Sequence, residues 1–148
     1  MRPGKGGGSV ARTEVVHARG HENVSAEHAS TFEVTSDDWL TPAGDCILGV
    51  EADRVPADFD PAFVAACQDP DAEIRATFEA SGRVETVVGR GHPELTFADE
   101  RSLVGRTSTF VDDRTFLVDA EFAASGFDRG LIAALSDGAA LTVTIEVL

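Results

Sequence analysis

The stretch Ala72-Glu73-Ile74-Arg75-Ala76-Thr77-Phe78-Glu79-Ala80 places an apolar side chain at every second position, and Leu141-Thr142-Val143-Thr144-Ile145-Glu146-Val147 does the same. Period two is the signature of a strand with one face in a core and one face toward water. Working outward, weaker strands are expected at 10–19, 29–35, 46–52, 83–88, 94–98, 106–111 and 115–118. Ser81-Gly82 reads as a hairpin turn, and Asp112-Asp113 as another. Two segments read as helices. Asp60 caps a helix opened by Pro61, carrying Phe63, Val64, Ala66 and Cys67 and stopped before Pro70. Ser125 and Asp128 form a box-like cap before Leu131, Ile132 and Leu135, with Gly138 at the stop. The expected fold is mainly β, a sandwich or barrel-like body of mostly antiparallel strands with two short helices. No internal repeat stands out, and one β-rich domain over 13–148 follows a Gly-rich basic tail over 1–12.

Length and charge narrow the class. The 148 residues suffice for one core without disulfides or metal. No apolar run reaches membrane-spanning length, and the opening residues do not form a signal peptide, so a cytoplasmic protein is expected. Twenty-six acids face twelve bases, a net charge of −14, and the bases are eleven Arg and the single Lys5. Residues 13–148 hold nine arginines against all the acids, a net of −17. Such acidity, with lysine almost removed, no Tyr and one Met, reads as adaptation to molar salt in a halophilic archaeal cytosol. Acidity of that origin identifies no partner, because the Debye length at 1 M is about 3 Å. An arginine kept against the bias pairs with an acid or touches a ligand. Cys46 and Cys67 form no C-x-x-C and are expected as free thiols, Cys46 on a core face.

Three polar runs carry the candidate chemistry. In the first, His17-Ala18-Arg19-Gly20-His21-Glu22-Asn23 is followed by His28. His17 and His21 have a helical metal spacing, but on a strand four residues span about 13 Å, too far for one ion. In the second, Thr41-Pro42-Ala43-Gly44-Asp45-Cys46 is a turn that delivers the Asp45 carboxylate to the head of a strand. In the third, Gly89-Arg90-Gly91-His92-Pro93-Glu94-Leu95 sets Arg90 and His92 among exposed backbone N–H groups. It is neither a P-loop nor a dinucleotide fingerprint.

Arg106 leads into three hydroxyl residues. No nucleic-acid, nucleophile-elbow or zinc-protease motif is present.

The first, second and third runs, with Thr31-Phe32-Glu33-Val34-Thr35 between the first two, resemble the archaeal domain-of-unknown-function family 371 over about residues 13–147. The resemblance implies a small cytosolic archaeal protein with a mainly-β, sandwich-like fold, and brings no established activity. Where that family carries lysines, this chain has Arg106-Thr107-Ser108 and Asp119-Ala120-Glu121.

Three functions remain in view. A binding domain for a small anionic ligand or an RNA phosphate would use Arg19, Asn23, Arg90, Gly91 and Arg106, with His92 beside them. An enzyme, metal-dependent or using histidine acid/base chemistry, would use His21, His28, Asp45 and His92. A structural protein would spend the same residues on closing strand ends. The first two require the three polar runs to meet in one pocket.

Overall fold

The computed structural model describes residues 12–148, so the expected tail and the start of the first strand lie outside the described residues. Eight strands and two helices follow in chain order: β1 Thr13–Arg19, β2 Thr31–Thr35, β3 Ile47–Gly49, α1 Pro61–Cys67, β4 Glu73–Ala80, β5 Arg83–Arg90, β6 Ser102–Arg106, β7 Thr115–Leu117, α2 Arg129–Ser136 and β8 Ala140–Val147. They form two four-stranded sheets, β1-β8-β4-β5 and β3-β2-β6-β7. The first sheet is antiparallel throughout. In the second, β2 and β6 are antiparallel, and each carries a parallel partner on its outer side. Single bridges stitch the sheets at both edges, Arg19 to Val50 and Arg90 to Val118.

Most expected elements are present. The two alternating segments are β4 and β8, side by side at the centre of the first sheet. Ser81 and Gly82, at φ 54° and 76°, form the two-residue turn that matches strand twist between β4 and β5. Asp60 caps α1 through Ala62 N–H.

Four expectations need correction. Residues 94–98 are a loop, and β6 lies at Ser102–Arg106, ahead of the expected 106–111. Asp112-Asp113 does not turn a hairpin, because β7 runs parallel to β6. Ser125 belongs to a short 3-10 turn, and Asp128 alone caps α2, accepting from Leu131 N–H.

The largest correction concerns repetition. Each half of the chain repeats the order strand, strand, strand, helix, strand, and the second half matches the first in hydrogen-bonding detail. In β2 and β3, Glu33 pairs with Ile47 and Val34 with Gly49 across a one-residue slip. In β6 and β7, Val104 pairs with Thr115 and Gly105 with Leu117 across the same slip. Asp53 accepts from His17 N–H, and Glu121 accepts from Val88 N–H. Glu14 accepts from Asp60 N–H, and Glu85 from Asp128 N–H. Even strained backbone recurs: Ala26 and Phe97 both have φ 51°, and Glu51 and Asp119 have φ 57° and 53°. A pseudo-twofold axis relates the halves. It passes between the facing pair Thr77 and Thr144 in one sheet, and between Glu33 and Val104 in the other.

The halves interlock. β1 pairs with β8 of the other half, and β5 pairs with β4. Between the sheets, Phe32 meets Phe78, Phe116 and Phe127 with ring centroids 5.5–5.9 Å apart. A second cluster joins Phe59, Phe63 and Phe97. Phe32 has room because its cross-strand partner is Gly105, where a Cβ would sit 2.2 Å from the ring.

The repeated Arg-Gly-His runs occupy equivalent corners. Gly20 follows β1 and packs against the end of α2, where a Cβ would lie 1.8 Å from Leu135 O. Gly91 follows β5 and packs against the end of α1, where a Cβ would lie 2.3 Å from both Cys67 O and Asp69 O. Both obstacles are backbone. Gly20→Ala and Gly91→Ala should therefore each cost about 2–3 kcal/mol, the overpacking range. Denaturant titration of the two variants checks this; unchanged midpoints would contradict the packing.

Candidate functional site

The three polar runs do not meet. Arg19 and Arg90 end β1 and β5, the two edges of one antiparallel sheet, and point to opposite ends of it. Three strand spacings of about 4.8 Å and about eight rises of about 3.3 Å put those corners roughly 30 Å apart. Arg19, Asn23 and His21 therefore share no pocket with Arg90, Gly91 and His92. The Asn23 side-chain amide donates to Leu40 O at 2.8 Å, just ahead of the second run, and His28 N–H donates to Asp45 O at 3.3 Å, so the first two runs do touch.

At each place the histidines close a turn. His21 Nδ1 accepts from Asn23 N–H at 3.0 Å, and His92 Nδ1 accepts from Glu94 N–H at 3.0 Å. His28 Nδ1 accepts from Ser30 and Thr31 N–H at 3.3 and 3.2 Å. Asp99, the equivalent of His28 in the other half, accepts from Arg101 and Ser102 N–H at 2.9 and 2.7 Å. Among the described residues, no three His, Cys, Asp or Glu side chains gather in a metal-binding group.

Arg19 lines a cleft of about 330 Å³ with His21, Glu22, Ser136, Asp137 and Gly138 at the C-terminal end of α2. This is a poor anion site. Arg19 is already held by Glu51 at 2.6 Å, two further acids line the cleft, and a helix C-terminus carries partial negative charge.

A different polar centre lies on the outer face of the second sheet. Among the described residues, four of the five buried polar side chains, Thr35, Ser102, Arg106 and Thr115, belong to β2, β6 and β7. Arg106 is nine-tenths buried there. Its Nε donates to Thr115 Oγ1 at 2.8 Å, its Nη2 to Asp112 at 2.9 Å, and Phe110 covers its guanidinium at 4.9 Å. Asp112 also receives Arg114 through Nη2 at 3.0 Å and Nε at 3.3 Å. Burial works against the Asp112 charge, but hydrogen bonds from the Arg114 side chain and backbone, with the charges of Arg106 and Arg114, outweigh it and bring the carboxyl down to about 2.

Beside this network, Glu33, Asp37, Asp99, Arg101, Ser102 and Arg114 line a cleft of about 190 Å³. Asp37 grips Arg101 with two bonds, at 3.1 Å to Nε and 2.8 Å to Nη2, and that contact lowers the carboxyl pKa and raises the guanidinium's. Glu33 sits on the pseudo-axis, and its Oε1 accepts from the Cys46 thiol at 3.4 Å. Cys46 is half-buried beside this face rather than in the core. Burial and the neighbouring Glu33 push its thiol up to about 11. Of the candidate site residues named from sequence, Arg106 alone belongs to this centre, as a buried anchor. Sequence reading missed Glu33, Asp37, Asp99, Arg101, Asp112 and Arg114. The usable signal was arginine itself, retained in so acidic a chain.

The fold and site define an internally duplicated β-rich protein with an arginine-containing cleft on one sheet. The family model described as "Domain of unknown function (DUF371)" matches residues 16–148, and the chain belongs to that family. A relative named "Uncharacterized protein MJ0206", from Methanocaldococcus jannaschii, is 34% identical over 133 residues, covering 90% of this chain and 98% of its own length. No helix among the described residues is long and apolar enough to cross a membrane.

Two outcomes test this geometry. Asp112→Asn leaves Arg106 without its counter-charge and should cost about 2 kcal/mol, below the ~3–5 of a fully buried pair because the Asp112 side chain is 31% exposed. Asp112 has a folded-state pKa below its ordinary 3.8, so its contribution is complete above about pH 4 and is lost as pH falls through about 2. The variant should therefore lose less stability than wild type across that window, as followed by thermal melts at stepped pH. Cys46 should react with iodoacetamide at pH 8 on the order of a hundredfold more slowly than a free cysteine, since its thiolate fraction there is about a thousandth. Labelling at the free-thiol rate would contradict its placement.

Proposed function

We propose that this protein is a binding domain for a small anionic ligand, held by Arg101 and Arg114 in the cleft over Ser102. The observation that carries the reading is the state of these two side chains. Each is oriented by a carboxylate, Asp37 or Asp112, through its Nε and Nη2. Among the described residues, neither Nη1 meets an acceptor. A guanidinium fixed on one edge and open on the other is preorganised for a carboxylate or phosphate. The acids around the cleft favour a small ligand over RNA, since a polyanion would bring further phosphates against Asp37, Asp38, Asp99 and Glu100.

A structural role is the second reading. It is favoured by the turn-closing bonds of His21, His28 and His92, which account for these histidines without a ligand.

Isothermal titration with inorganic phosphate and with small carboxylates, in molar KCl, separates the two. Arg114→Gln and Arg101→Gln should each weaken binding by about tenfold or more, the cost of one charged hydrogen bond. Arg19→Gln and Arg90→Gln should leave it unchanged. Weakening confined to the Arg19 or Arg90 variant would overturn the assignment.

A further inference from the structure

The internal duplication supplies a control that a single copy would lack. Each charged residue lining the cleft has an equivalent in the other half, on the same framework, that carries no fixed charge of its kind. Arg101 corresponds to Ser30, Arg114 to Cys46, Glu33 to Val104, Asp37 to Ser108 and Asp99 to His28. The backbone contacts are the same in both. Glu33 N–H donates to Cys46 O at 2.9 Å, and Val104 N–H donates to Arg114 O at 2.8 Å. Ser36 N–H donates to Arg101 O at 2.8 Å, and Thr107 N–H to Ser30 O at 3.0 Å. The framework is thus built with Ser, Cys, Val and Ser at the equivalent positions. It does not need the charges that Arg101, Arg114, Glu33 and Asp37 bring.

The charges are also of both signs and incompletely paired. Asp37 is taken up by Arg101. Among the described residues, Glu33 Oε1 has only the Cys46 thiol, and Asp99 Oδ2 holds two backbone N–H groups. Among the described residues, Glu33 Oε2 and Asp99 Oδ1 have no donor, and the Nη1 of Arg101 and of Arg114 has no acceptor. One cleft therefore offers open donors on two cations and open acceptors on two anions. A simple anion would satisfy the first set while adding repulsion to the second, and a simple cation would do the reverse. A molecule carrying both groups satisfies both.

Resting on the anion-binding reading above, we infer that the ligand of this cleft is a small zwitterion, with its acid group on Arg101 and Arg114 and its ammonium between Glu33 and Asp99. The cleft, of about 190 Å³, has room for a small polar molecule.

The test titrates the full chain in molar KCl with phosphoethanolamine and β-alanine as zwitterions. Inorganic phosphate, acetate and ethylammonium are the single-charge controls. Calorimetry is the readout, with fluorescence of the single tryptophan, Trp39, two residues beyond Asp37, as a second. The zwitterions should bind about tenfold or more tightly than either control. Glu33→Gln should erase that advantage while leaving phosphate binding as strong or stronger. Because Val104 holds the equivalent position, Glu33→Val is a second variant of the same test, with a side chain the framework already carries. Phosphate binding as tightly as phosphoethanolamine, with no effect of Glu33→Gln, would overturn the zwitterion and leave the anion site standing. No binding of any probe would overturn both.

Discussion

Thr77 faces Thr144 within a run of six antiparallel residue pairs between β4 and β8, and the rest of the molecule is arranged around that contact. Each of these strands closes one half of the chain. Each then takes the first strand of the opposite half as its other neighbour, β5 beside β4 and β1 beside β8. Neither half completes the first sheet with its own strands. The second sheet obeys the same axis at Glu33 and Val104, and the two edge bridges tie the sheets where β1 and β5 end. Core packing follows from this constraint. The same niche is filled by Phe127 in one half and Phe59 in the other, while Phe32 takes the space its partner Gly105 leaves open.

The strands, and the alternation that drives them, were legible because period two is a local property. β4 and β8 have a clear inward face, β5 follows β4 across the hairpin, and the reading places all three within two residues of their observed bounds. The duplication was not legible, for a physical reason. What repeats is backbone hydrogen bonding, and many side chains satisfy the same bond: Asp53 and Glu121, or His28 and Asp99. The spacing also drifts, since the loop after β2 is longer than the loop after β6. Arg19-Gly20-His21 and Arg90-Gly91-His92 were visible as motifs, yet their recurrence reflects a shared corner, in which glycine fits against a helix end and histidine closes the next turn.

The candidate cleft was harder to see because it is assembled from β2, β6 and the loops beside them, with no two of its arginines in one motif. Polar density in the sequence pointed to the corners. Buried polar groups in the fold point to the outer face of the second sheet. Duplication explains how such a site arises. Two copies of a framework need only one set of framework contacts each, so one member of each equivalent pair is free to be Arg101, Arg114 or Glu33 while the other stays Ser30, Cys46 or Val104. On the proposed reading, binding rests on the departure from symmetry, and stability on the symmetry itself.

Native-state hydrogen exchange of the β4 and β8 amides at increasing denaturant tests the interlocked duplication most directly. If each half completes its sheet only with the other, the most protected amides of 73–80 and of 140–147 should open together, with one free energy and one denaturant slope, equal to those of global unfolding. Two isotherms, in which strands of residues 13–80 exchange while those of 83–147 stay protected, would contradict the account.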